Sequence, residues 1–201
     1  MELFFRIFLP SYIIVYILVL YIENISSFKK KYGIDPEVVT PKDKLMYIFQ
    51  VYRQIIFVFI LMAILMYSAF PNSYHILVPI PYLEIGIVRI SGATIMVGSL
   101  VLVRVSQLQL KSSWRIGIDR SGKRTDLITT GIYRRSRNPI ALGMVLNALG
   151  LFMTLPNVIT FCILNLVFMI FTVRIRIEEE HLAWMHGDEY EDYKNKTRRW
   201  L

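Results

Sequence analysis

The residues able to do chemistry fall into two polar blocks set one apolar hairpin apart. The first, T-D-L-I-T-T-G-I-Y-R-R-S-R-N-P-I-A, runs from Thr125 to Ala141, and the second, R-I-R-I-E-E-E, runs from Arg174 to Glu180. The stretch between them, Pro139 to Val173, is uncharged and mostly apolar. A chain that crosses a bilayer there and returns brings both blocks to one membrane face. Arginines, carboxylates and an Asn-Pro helix start then surround a site open to both water and lipid. Such a site suits chemistry on a lipid-borne substrate.

Each candidate also has a plain structural role. Asn138 and Pro139 are favoured at the N-cap and first position of a helix, and a helix N-terminus offers free N–H groups to an anionic ligand group. Arg134, Arg135 and Arg137 precede an apolar span and can simply anchor its end. Arg174–Glu178 and Arg176–Glu180 are i, i+4 pairs, each worth about 0.2–0.5 kcal/mol when exposed. Charge is costly at bilayer depth, on the order of 2.5–3.5 kcal/mol at the centre. A charged cluster that close to the apolar span, facing a basic loop, therefore reads as a pocket wall, with Arg176 and Glu180 as its functional members. The tail, His181–Leu201, alternates charge with Leu182, Trp184, Met185, Tyr190, Tyr193 and Trp200. It reads as an interfacial amphipathic helix, which could also serve as a lid.

The elements that must position these blocks are membrane spans. The chain has 201 residues, 55% hydrophobic, with a mean hydropathy of +0.47, too apolar for an ordinary soluble domain. Runs long enough to approach the roughly 30 Å of hydrocarbon lie at Leu3–Ile22, Leu45–Phe70 and Ile85–Val103. Two shorter ones, Ile140–Leu155 and Val158–Val173, flank Leu155-Pro156-Asn157, a natural hairpin turn. The first run has no basic n-region or A-x-A site and reads as a retained span, not a signal peptide. The expectation is an all-α integral membrane protein of about five transmembrane helices, with a C-terminal helical hairpin. Residues 1–110 hold the first three spans. Residues 111–201 hold the connector, hairpin and tail that form the catalytic region.

Basic residues set the expected orientation. Lys29, Lys30, Lys31, Lys42 and Lys44 follow the first span, nine basic residues lie within Arg104–Arg137, and six follow from Arg174 onward. The Pro71–Glu84 loop has no Lys or Arg. The positive-inside rule then puts the N-terminus outside and the catalytic face in the cytoplasm. The connector Arg104–Asn138 is about 35 residues long, longer than a plain loop needs. Its aromatic and aliphatic residues argue against disorder. Ser121–Arg124 reads as a turn, and Asp126–Ile128 as a short strand or loop.

Other classes fit poorly. The net charge of +8 in such an apolar chain reports topology and anionic headgroups, not nucleic acid. Cys162 is the single cysteine, and His75, His181 and His186 are scattered, so neither an intrachain disulfide nor a metal site is expected. No C-terminal C-a-a-X or retention signal is present, and a prokaryotic cytoplasmic membrane is the simplest location.

The ordered pattern T-D-L-I-T-T-G-I-Y-x-x-S-R-N-P, hairpin, R-x-R-x-E-E-E-x(7)-G-D-E-Y-x-x-Y-x-x-x-T-x-R resembles the isoprenylcysteine carboxyl methyltransferase family, a group that includes phospholipid methyltransferases. The likeness covers about Ser113 to Arg198. It implies an integral-membrane enzyme using S-adenosylmethionine without a Rossmann domain, in keeping with the absence of G-x-G-x-x-G. By position it implies that Thr125, Asp126, Leu127 and Ile128 line the cofactor, with Tyr133 packed nearby and Ile118 a further contact. Asn138, Pro139, Ile140 and Ala141 stand where the family has His-Pro-x-Tyr, so a histidine and a tyrosine are replaced. The same carry-over has Glu180 binding a polar group of the cofactor and Arg176 holding the acceptor.

The reaction expected is in-line attack of a lipid-borne acceptor on the sulfonium methyl. A carboxylate acceptor is already ionised, so positioning and exclusion of water supply most of the rate. The planar fork of Arg176 suits a carboxylate or phosphate. An amine acceptor, as on a phospholipid, would need a base, for which a glutamate of the run is the candidate. An NADPH-dependent sterol-type reductase would carry an aromatic and an acid where this chain has Ala141-Leu142-Gly143-Met144. A non-catalytic membrane protein leaves the two bracketing polar blocks unexplained.

Overall fold

The computed structural model describes residues 1–33, 44–117 and 125–200. Helix α1 (Glu2–Ile17) continues through a π-helical turn (Leu18–Glu23) into α2 (Asn24–Tyr32). There follow α3 (Lys44–Ser68), α4 (Gly86–Leu110), α5 (Pro139–Thr154), α6 (Val158–His186) and α7 (Asp188–Lys196). Among the described residues there are isolated β-bridges but no strand. The all-α membrane architecture is as the sequence implies.

Four helical segments, Glu2–Tyr32, Lys44–Ser68, Gly86–Ser113 and Val158–His186, are long and apolar enough to cross a bilayer. Helix α5, with 16 residues, rises only about 24 Å and is the short member of the hairpin. Many large apolar side chains face outward, among them Val58, Leu65, Phe168 and Met169, as lipid-facing positions require. Inside, Phe5, Leu9 and Tyr12 of α1 meet Ile64 and Tyr67 of α3, Met96 of α4 and Leu151 of α5.

Small residues set the closest contact, between α4 and α5. A Cβ built on Gly92 would sit 2.7 Å from the Gly150 carbonyl, and one on Gly150 would sit 2.7 Å from the Gly92 carbonyl. The two backbones therefore touch, the packing mode that small residues permit between membrane helices. Helix α4 also runs to Leu110, beyond the Val103 end expected from the apolar run. Its last turns are held from outside the helix. The Ile132 amide donates to Gln109 Oε1 at 2.9 Å, and Tyr133 Oη donates to the Ser106 carbonyl at 3.4 Å. Polar residues that looked like connector are helical because the chain returns to bond them.

The hairpin turn is closed by a capping box. Thr160 N donates to Asn157 Oδ1 at 2.9 Å and Asn157 N to Thr160 Oγ1 at 3.3 Å. At the same end of the bundle Arg89 is buried, its Nε donating to the Thr154 carbonyl at 3.1 Å. Its guanidinium also reaches the Glu2 carboxylate and the Tyr67 hydroxyl and lies 4.3 Å from the Phe5 ring centroid. One paired charge thus ties α1, α3, α4 and α5 together.

Gly150→Val should destabilise the protein by on the order of 1–3 kcal/mol, the usual cost of overpacking. Gly98→Ala, where an added Cβ meets nothing within 4 Å, should leave it unchanged. Thermal melting in detergent checks both.

Candidate active site

A cavity of about 560 Å³ lies among α1, α3, α4, α5 and α6. Its polar end is bordered by Thr125, Asp126, Tyr133, Arg137, Asn138, Arg174, Glu178 and His181, and its far end by apolar residues such as Ile60, Ile64, Met96 and Leu151. A pocket polar at one end and apolar at the other fits an amphiphile.

Two backbone segments frame the polar end. Residues 125–129 have no regular structure, which leaves main-chain donors and acceptors for a ligand. One of them is used internally, since Ser113 Oγ donates to the Asp126 carbonyl at 3.0 Å. Leu127 and Ile128 line the cavity beside Thr125 and Asp126. The second segment is the start of α5, with Pro139 in its first turn, and Asn138, Pro139, Ile140 and Ala141 all border the cavity. Asn138 is the N-cap residue but makes no side-chain cap bond. Its amide donates instead to Glu179 Oε1 at 3.1 Å and to the Arg199 carbonyl at 3.2 Å.

Glu179 organises this end. Its Oε1 accepts from Arg137 Nε at 3.1 Å and from Asn138, with Arg137 Nη2 ion-paired to it at 3.1 Å, while its Oε2 accepts from Arg199 Nε at 3.1 Å and Nη2 at 2.7 Å. The Glu179 and Arg137 side chains are each 8% exposed, so the pair is desolvated and saturated. The tail is drawn in with it. Arg137 N donates to the Arg198 carbonyl at 2.9 Å, and Arg137 Nη1 reaches the Lys194 and Thr197 carbonyls. The tail expected at the membrane interface is therefore folded back. Tyr190 and Tyr193 of α7 are buried, and Tyr193 Oη donates to the Tyr133 carbonyl at 2.6 Å.

Helical phase decides which members of the second block see the cavity. Val167, Ile170, Phe171, Arg174, Glu178, Leu182 and Met185 line it and fall on one face at 3.6 residues per turn. Arg176 and Glu180 each lie two residues, about 200°, from Glu178, on the opposite side of the helix. Both are exposed and do not border the cavity. The site roles expected for them thus do not match where they sit, and Arg174 and Glu178 hold the facing positions. Neither the Arg174–Glu178 nor the Arg176–Glu180 pair forms a salt bridge among the described residues; Arg174 lies 6.0 Å from the Phe171 ring centroid, and both Arg174 and Glu178 border the cavity. Their signal in the sequence is the apolar stripe Val167–Phe171 carried forward by whole turns. Ile118 lies outside the described residues.

Ionisation limits what the tyrosines can do. Burial, and then the Glu178 carboxylate, push the Tyr133 hydroxyl well above the ordinary phenol range, so it stays protonated. Burial raises Tyr193 to about 12, with Arg137 opposing the shift and Glu179 adding to it. Among the described residues no group of three His, Cys, Asp or Glu could hold a metal ion.

The profile of the phospholipid methyltransferase family matches residues 87–189, about half of the chain. The chain belongs to that family. The matched stretch runs from α4 through the hairpin into α7 and so includes both segments of the polar end. Two proteins named protein-S-isoprenylcysteine O-methyltransferase, from Schizosaccharomyces pombe and Saccharomyces cerevisiae, are each 39% identical to it over 72 residues. That stretch is 35% of this chain and 30% of each relative, so the likeness spans under a third of their length. Both are fungal, and they lend no support to a prokaryotic membrane. The solved structure of a eukaryotic intramembrane Ras methyltransferase, isoprenylcysteine carboxyl methyltransferase, superposes with a TM-score of 0.55 at 18% identity, covering 89% of this chain and 59% of that one. The fold of that structure therefore extends over nearly all of the chain, including the first spans, which carry no signature in sequence.

Two outcomes follow from the Glu179 cluster. Glu179→Ala strands a buried guanidinium and should cost about 3–5 kcal/mol, read as a lower melting temperature and rapid proteolysis of the tail. For Tyr193 the folded state holds its proton more tightly than the unfolded chain, whose phenol titrates near 10. Tail docking should be at full strength below pH 10 and weaken as pH rises through about 12. Tyr193→Phe should show a smaller alkaline loss in the same proteolysis assay.

Proposed function

We propose that the protein is an integral-membrane methyltransferase that uses S-adenosylmethionine to methylate a lipophilic acceptor, with a carboxylate the first class to test. The observation that carries this reading is a cavity that joins Arg174 and Glu178 at its polar end to an apolar end among the spans. The methyl donor is zwitterionic with a cationic sulfonium, and a carboxylate and a guanidinium suit that charge pattern. When bound, it supplies an electrophilic methyl group. Family membership and the methyltransferase relatives favour this reading over a reductase or a non-catalytic membrane protein.

In this reading Thr125–Ile128 and Asn138–Ala141 form the walls of the donor site, with Tyr133 as a packed, protonated neighbour. Glu178 binds the polar part of the donor, the role first assigned to Glu180. Arg174 takes the acceptor role first assigned to Arg176, since its planar fork matches a carboxylate or phosphate. A carboxylate acceptor needs no base, so the chain contributes orientation and exclusion of water. A phospholipid amine is the second acceptor class, suggested by the name of the matched family. Glu178, at the cavity, is then the base. The positive-inside asymmetry puts this end in the cytoplasm and the N-terminus outside.

Binding of S-adenosylhomocysteine to the purified protein tests the reading. Glu178→Ala should weaken it by roughly ten- to a hundredfold, the range for hydrogen bonds to a charged group, and Glu180→Ala should not. No binding to folded wild-type protein, or equal loss in both variants, would overturn it. Arg174→Ala should lower methyl transfer at least tenfold while Arg176→Ala leaves it within twofold, on the same scale; the reverse order would return the role to Arg176.

A further inference from the structure

The apolar end of the cavity holds an amide whose bonds to neighbouring helices use only one of its two polar atoms. Tyr12 Oη donates to the Met96 carbonyl at 2.9 Å, and Ser99 Oγ donates to the same carbonyl at 2.8 Å. A hydroxyl has one proton, so both are committed. The side-chain amide of Asn147 on α5 meets both oxygens, reaching Tyr12 Oη and lying 3.2 Å from Ser99 Oγ. Oxygens with no proton left to give can only accept, so the amide must present its NH2 to them. That fixes the orientation of the amide from the network and leaves Asn147 Oδ1 as an acceptor without a partner among the described residues.

Asn147 is half-buried and borders the cavity together with Ile13, Ile64, Ala148 and Leu151. Its neighbours do not need it. With leucine in its place, the hydroxyls of Tyr12 and Ser99 would still donate to Met96. An amide oxygen among apolar residues at membrane depth carries a desolvation cost unless a donor reaches it. No such donor comes from the described residues, and the cavity's occupant can supply one.

We propose that Asn147 is a specificity site for a hydroxyl on the apolar chain of the lipid ligand. The inference rests on the reading of this cavity as the acceptor's seat, and it narrows the acceptor class to hydroxylated lipids. Asn147 lies nine residues along α5 from Asn138, about 13–14 Å by helical rise. The hydroxyl therefore sits that far along the chain from the end that receives the methyl group. A plain hydrocarbon chain would fill the same space and leave Oδ1 bare.

Binding of decanoate and of ω-hydroxydecanoate, whose extended chains suit that reach, is measured by calorimetry on the protein in amphipol. Wild type should bind the hydroxylated acid roughly five- to tenfold tighter, the worth of one neutral hydrogen bond. Asn147→Leu should invert the order, and Asn147→Ala serves where the leucine variant melts early. A wild-type preference for decanoate, the same preference in both variants, or no binding of either acid would overturn the proposal. Methyl transfer to the two acids is assayed in parallel. Asn147-dependent binding without methylation would leave the proposal standing and count against the methyltransferase reading alone.

Discussion

The polar end of this protein depends on one buried carboxylate. Glu179 sits at the point where the second helix of the hairpin leaves its apolar stretch, and two arginines and an asparagine share its oxygens. The partners come from two distant places in the chain: Arg137 and Asn138 from the start of α5, Arg199 from the tail. Removing any one leaves charge or hydrogen-bonding capacity unmet in a desolvated setting, which is costly. The cluster therefore fixes the entry of α5, the exit of α6 and the fold-back of the tail together. Glu178, one residue earlier and 100° around the helix, thereby borders the cavity with no salt-bridge partner among the described residues.

The opposite end of the bundle is held by a second paired charge. Arg89 joins α1 and α3 to the hairpin through Glu2, Tyr67 and the Thr154 carbonyl. Between these two clusters α4 and α5 are in backbone contact at Gly92 and Gly150. Helix α5 is too short to span a bilayer unaided but is secured at both ends. The cavity occupies the space left between that rigid pair and α1, α3 and α6. Its walls are thus set by fixed helices, as a site that orients two reactants requires.

Much of this was legible in the sequence. The apolar runs marked the helices, and Asn138-Pro139 and Leu155-Pro156-Asn157 marked where the hairpin begins and turns. The order of the two polar blocks pointed to the family. Three features were not legible, each for a physical reason. The last turns of α4 are polar and helical because residues 132 and 133 return to bond them, a long-range effect no local pattern records. The tail has the composition of an interfacial helix, and only the Arg137–Glu179 cluster and Tyr193 draw it inward. In the run Arg174–Glu180, five charged residues compete for two facing positions. Composition cannot rank them, whereas the phase of the preceding apolar stripe selects Arg174 and Glu178 over Arg176 and Glu180.

The central claim is that Glu178 and the cavity behind it carry methyl transfer to a lipid. The most direct test follows a labelled methyl group from S-adenosylmethionine into the lipid extract of membranes containing the protein. The account predicts incorporation that depends on Glu178, lowered roughly tenfold or more in Glu178→Ala at equal expression and limiting donor, with base-labile label marking a carboxyl ester and base-stable label an amine. No incorporation by the folded wild-type protein, or equal incorporation by the variant, would contradict it.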